Sequence, residues 1–96
     1  MHTVIRQYSG SGASELADQI TSQAKGVEAA IRTVPGVISY ALVRTADGCI
    51  SITVCEDKVG ADESVKVAAE FIRNNCTVDA NPPMVSEGET IINFAT

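Results

Sequence analysis

Apolar residues recur along this chain at two different periods. Leu16, Ile20, Ala24, Val27 and Ile31 follow one another at spacings of four, four, three and four. That spacing predicts one face of a helix of about five turns. Gly26 lies inside it, at a cost of about 1 kcal/mol relative to Ala, and marks a close contact. Pro35-Gly36 ends the helix. The period then changes to two. Val37 to Thr45 and Cys49 to Glu56 read as paired strands joined at Asp47-Gly48, with the glycine expected to supply the positive φ of a hairpin turn. Gly60-Ala61-Asp62-Glu63 reads as the start of a second helix, with acidic side chains where the helix dipole favours them. Val65, Ala68, Ala69, Ile72 and Cys76 form its buried face, and Arg73 falls in its last turn. Thr3 to Tyr8 reads as a first strand, followed by a flexible connector at Ser9 to Gly12. Thr77 to Gly88, with Pro82-Pro83, reads as a loop, and Glu89 to Ala95 as the last strand.

The order β-α-β-β-α-β predicts a ferredoxin-like α+β domain, an antiparallel sheet with two helices on one face, spanning 1–96 as a single domain. In a solitary domain of this kind the other sheet face meets water and is polar. Here it is not. The second strand offers Ile38, Tyr40 and Leu42 on one side and Val37, Ala41 and Val43 on the other. The last strand offers Ile92 and Phe94 against Ile91 and Ala95. The third strand is asymmetric, with Ile50, Ile52 and Val54 opposed to Cys49, Ser51, Thr53 and Cys55. A partly apolar second face needs a cover, and a second copy of the same sheet is the simplest one. The expectation is a homodimer through sheet-to-sheet packing, with Cys49 and Cys55 as small packing residues at its interface.

Composition narrows the function classes. A net charge of −5 argues against nucleic acid and against an anionic membrane surface, both of which need clustered Lys and Arg. No apolar run approaches a membrane span, and Met1 to Tyr8 lacks the pattern of a signal peptide. Three cysteines, with Cys49 and Cys55 too far apart on one strand to bridge, suit a reducing compartment. A cytoplasmic protein is expected. His2 is the only histidine and no C-x-x-C occurs, so neither a metal nor another cofactor is expected.

The Tyr8 strand end, Pro35-Gly36-Val37, Tyr40, the Asp47-Gly48 hairpin, Glu56-Asp57, Ser64 and Gly88-Glu89 together resemble the dimeric α+β barrel superfamily, over nearly the whole chain. The resemblance is to its antibiotic-biosynthesis-monooxygenase-like domains, and within them to small bacterial proteins without an assigned activity. It implies a dimeric α+β barrel and a ligand pocket between sheet and helices. The superfamily includes cofactor-independent monooxygenases, haem-degrading enzymes, lactone isomerases and proteins without known catalysis. The haem-degrading branch uses His with Asn and Trp, and this chain has no Trp.

Candidate chemistry rests on Arg6, Tyr8, Tyr40, Arg44 and Asn93, all on expected strands. Arg6 shares a face with Tyr8, and Tyr40 with Arg44. If those faces line a cavity, the arginines can hold an anionic or enolic ligand and a tyrosine can donate to an oxyanion. Solvent-directed arginines and strand-end tyrosines are the competing structural reading. Glu56 and Asp57 read as turn carboxylates that receive backbone donors or pair with Lys58 or Arg44. Ser51 and Thr53 lack the histidine of a nucleophilic triad. The catalytic residue set is left open. Two functions follow: a dimer that binds or oxidises a small organic molecule without a cofactor, and a non-catalytic ligand-sensing or interaction domain.

Overall fold

The computed structural model describes residues 1–96. Strand β1 (His2–Tyr8) leads into helices α1 (Ala13–Ser22) and α2 (Ala24–Arg32). The hairpin strands β2 (Val37–Thr45) and β3 (Gly48–Cys55) precede helix α3 (Lys58–Asn75) and strand β4 (Met84–Glu89). The four strands form one antiparallel sheet in the order β2-β3-β1-β4. All three helices pack on the same face, so the ferredoxin-like order holds.

Leu16, Ala17 and Ile20 of α1, Val27 and Ile31 of α2 and Ala68 of α3 close over Tyr8 and Cys49 of the sheet. Each such Leu, Ile or Val contributes roughly 1.5–3 kcal/mol by leaving water. The apolar spacing from Leu16 to Ile31 does mark one buried face, but not one helix. Gln23, at φ −119° and ψ 28°, breaks it in two. The Gln23 backbone N–H donates to Ile20 O, and its side-chain amide donates to Asn75 O at 2.9 Å, tying the break to the end of α3. Helix α3 begins two residues before Gly60, where Asp57 caps it by accepting from Gly60 N at 2.9 Å. Such a cap contributes about 1 kcal/mol. Asp57 is thus a turn carboxylate, as expected. Neither it nor Glu56 pairs with Lys58 or Arg44, which bind Asp62 and Asp18 instead.

The register corrects several expectations. Tyr40 lies opposite Thr53 and Arg6 opposite Ser51, while Cys49 meets Tyr8 and Arg44 from its two sides. Cross-strand partners share a face. Cys49, Ser51, Thr53 and Cys55 therefore point under the helices and belong to this chain's own core, not to a dimer interface. Ile38 is the extra residue of a bulge between Val37 and Ser39. The bulge resets the alternation, so Val37 packs inward with Tyr40 and Leu42 while Ile38 is exposed. Ile5, Ala41, Val43, Ile50 and Ile52 make up the open face.

The last strand also differs from its expected place. It is Met84–Glu89, paired along β1 from Gln7↔Met84 to His2↔Glu89. Ile91, Ile92 and Phe94 follow it and are each at least 80% exposed. Apolar composition pointed to 89–95, but pairing with β1 selects the more polar segment before it. Gly48 has no positive φ. It is a glycine because a Cβ there would overlap the Tyr8 carbonyl oxygen and lie 2.9 Å from Ala13 Cβ.

Candidate functional site

Three of the five candidate residues converge. Arg6 and Tyr8 on β1 and Tyr40 on β2 project from the sheet into a small chamber roofed by α2 and α3. Ile20, Val27, Ile31, Leu42, Phe71 and Ile72 supply most of its wall. Its free volume is about 20 Å³, room for about one water. The ring of Phe71 fits because Gly26 stands opposite, where a Cβ would lie 3.3 Å from it. That is the close contact expected of this glycine, although the break at Gln23 places it in the first turn of α2 and not in mid-helix.

Two grooves flank the chamber. One, of about 500 Å³, runs between α2 and β2, and shares Ile20, Val27, Ile31, Tyr40 and Leu42 with the chamber. The other, of about 250 Å³, lies beneath residues 78–83 and reaches Arg6, Tyr8 and Ile72. The chamber thus shares lining side chains with both grooves.

Arg6 is only 4% exposed. Its Nε–H donates to Ser51 Oγ at 3.0 Å, and Nη1 donates more weakly to the Tyr8 hydroxyl at 3.4 Å. The Tyr40 hydroxyl also lies within the influence of the guanidinium. Burial pushes the Tyr8 and Tyr40 hydroxyls above their ordinary value, and the Arg6 charge offsets this only in part. Burial likewise raises the Cys49 thiol, against the pull of Arg6 and Arg44. All three acids are therefore protonated at neutral pH. Thr53 Oγ1, on the strand position opposite Tyr40, is buried with no hydrogen-bond partner.

The other two candidates lie elsewhere. Arg44 sits at the rim, where Nη1 pairs with Asp18 at 2.9 Å and Nη2 donates to Thr21 Oγ1 at 3.1 Å. Asn93 is exposed and off the sheet, with Met1 Sδ, 3.8 Å from Nδ2, as its contact. It falls outside the site because the last strand ends before it. Ser51, weighed in the sequence only as a nucleophile, joins the site as the partner of Arg6. Its signal is the pairing with Arg6, which exists only once the β1–β3 register is known. No three side chains among His, Cys, Asp and Glu are placed to hold a metal ion.

The sequence matches no described family and no curated protein. The fold does have counterparts among solved structures. A monooxygenase of Streptomyces coelicolor, solved in complex with nanaomycin D, superimposes with a TM-score of 0.70 at 16% identity, over 99% of this chain and 91% of that one. A protein of unknown function from Nitrosomonas europaea gives 0.68 at 13% identity, over 99% and 92%. A dimeric ferredoxin-like protein from an uncultured marine organism gives 0.64 at 8% identity, over 99% and 96%. The chain thus shares a ferredoxin-like fold with solved structures that include a monooxygenase, a dimeric ferredoxin-like protein and a protein of unknown function. No helix is long and apolar enough to cross a membrane.

Proposed function

We propose that this chain is a homodimeric cytoplasmic protein that binds a small organic molecule in the chamber between its sheet and helices. The observation that carries this reading is the convergence of Arg6, Tyr8 and Tyr40 on one apolar-walled space. Binding pockets have this make-up: apolar walls that supply affinity and a few polar groups that fix orientation. Arg6 would hold the ligand's oxygen, and the protonated tyrosines would donate to it. Occupation requires the side chains between the chamber and the α2–β2 groove to move, because the closed chamber has room for about one water.

The catalytic form of this reading is oxidation without a cofactor. The likeness in fold to the S. coelicolor monooxygenase supports it. The electrons would come from the organic substrate and pass to dioxygen. No carboxylate or histidine lines the chamber to act as base. Binding is therefore the part that the geometry supports best, and the alternative is a sensing or interaction domain that binds without turnover.

Two features support the dimer. The open sheet face carries Ile5 and Val43, 39% and 47% exposed, and Ile91, Ile92 and Phe94 extend beside it uncovered. A second copy laid on that face would cover both. Multi-angle light scattering tests this, and a monomer at micromolar concentration would refute it. A thermal-shift screen of quinols, lactones and amino acids tests the binding reading. The expected result is stabilisation by at least one class that is lost in Arg6→Gln and Tyr40→Phe. A hit unaffected by both substitutions would move the ligand out of the chamber.

A further inference from the structure

The chamber holds a cation without a counterion, and it holds no base. None of the chain's five ion pairs includes Arg6. The titratable groups around it are Tyr8 on its own strand, Tyr40 on β2 and Cys49 on β3, weak acids that burial makes weaker still. Asp79, on the segment over the second groove, is exposed and makes no ion pair. A buried charge is costly unless it is paired and hydrogen-bonded. A guanidinium has five N–H donors. Ser51 and the Tyr8 hydroxyl accept from it at 3.0 and 3.4 Å, and the Tyr40 hydroxyl is a further neutral partner. The remaining donors and the unmatched charge call for an acceptor that carries charge of its own.

Resting on the binding reading above, we infer that the ligand is an organic oxyanion with a flat apolar body, and that it arrives already ionised. A carboxylate fits best, because its two oxygens match the fork of a guanidinium. A neutral phenol or enol would need a base to become an anion in place, and Tyr8, Tyr40 and Cys49 are too weakly acidic to leave one behind. The apolar wall of Ile20, Val27, Ile31, Leu42 and Phe71 receives the body. Ser51 is a positioning residue. By accepting from Nε–H it turns the terminal nitrogens toward the chamber, without itself touching the ligand.

Benzoate and benzamide are close to isosteric and differ in charge, so they separate this inference from the reading beneath it. The full chain, labelled with ¹⁵N, is titrated with each, and the Arg6 Nε–H resonance and the chamber amides are followed. Benzoate is expected to move both and to bind at least about tenfold more tightly than benzamide, the size expected of a charge-assisted hydrogen bond. Ser51→Ala should shift the Nε–H resonance and weaken benzoate about tenfold, while Ser51→Thr restores both. Arg6→Gln should erase the preference for acid over amide. Equal binding of the two compounds would overturn the inference and leave the binding reading standing. Chamber amides unmoved by either compound would overturn both. Unaltered benzoate affinity in Ser51→Ala would remove Ser51 from the account.

Discussion

Replacing Gly48 by Ala adds one methyl group at the point where β3, the end of β1 and the start of α1 meet. The new Cβ would overlap the Tyr8 carbonyl oxygen and lie 2.9 Å from both the Tyr8 carbonyl carbon and Ala13 Cβ. Two of these atoms are backbone, and the third is the side chain of a fully buried alanine. None can rotate away, so a strand end or a helix start must shift. Overpacking of this kind costs about 1–3 kcal/mol, and a clash with backbone belongs at the upper end. Restricting the unfolded chain by replacing glycine returns about 0.4–1 kcal/mol. The net loss is then about 2 kcal/mol. A domain of this size loses roughly 4–8 °C per kcal/mol, so Tm should fall by about 8–16 °C in a calorimetric or circular-dichroism melt. Gly88→Ala is the matched control. It also lies in the sheet, but a Cβ there meets nothing within 4 Å, and its effect should stay within about 0.5 kcal/mol. A Gly48→Ala melt within about 2 °C of the parent, or an equal loss in Gly88→Ala, would refute the close-approach argument.

Both tyrosines of the chain lie in the chamber, and there is no Trp, so alkaline titration reads the site directly. Their folded-state pKa values are raised above 10.0, so the unfolded chain ionises first; stability holds up to about that pH and falls above it. Tyrosinate absorbance at 295 nm should appear at higher pH in the folded chain than in the urea-unfolded chain; equal midpoints would contradict the burial. Glu87 is the opposite case. Its hydrogen bonds with His2 and Lys58 hold its carboxyl below 4.5, so its contribution is present above that pH and lost as pH falls through the folded value. Glu87→Gln should melt earlier than the parent at pH 7, and the difference should vanish in strong acid. A gap independent of pH would mean that the carboxylate charge is not what matters. Val43→Glu places a charge on the open sheet face, and the proposed sheet-to-sheet dimer should then run as a folded monomer in light scattering. An intact dimer would move the interface elsewhere.

Local pattern carried the helices, the hairpin and the ferredoxin-like order, because periods of 3.6 and two are properties of short segments. It also brought Arg6, Tyr8 and Tyr40 into view as strand residues of mixed character. It failed where two segments compete for one partner. Glu89–Ala95 has the more strand-like composition, yet β1 pairs with Met84–Glu89. Asn93 left the site with that choice. The break at Gln23 was hidden for a different reason: α1 and α2 keep one continuous apolar face across it, and its tie is to Asn75, 52 positions away.

What the sequence alone determined is therefore the kinds of element, their order, and a second sheet face too apolar for water. What tertiary structure decided is which face of β3 lies inside. Alternation says that Cys49, Ser51, Thr53 and Cys55 oppose Ile50, Ile52 and Val54, but not which row meets the helices. By hydrophobicity the isoleucine row should be the buried one. The helices cover the smaller, more polar row, which shares its face with Arg6 and Tyr40 and, in Ser51, accepts a hydrogen bond from Arg6. The isoleucine row lies on the open face. That inversion depends on register across three strands, and no single segment encodes it.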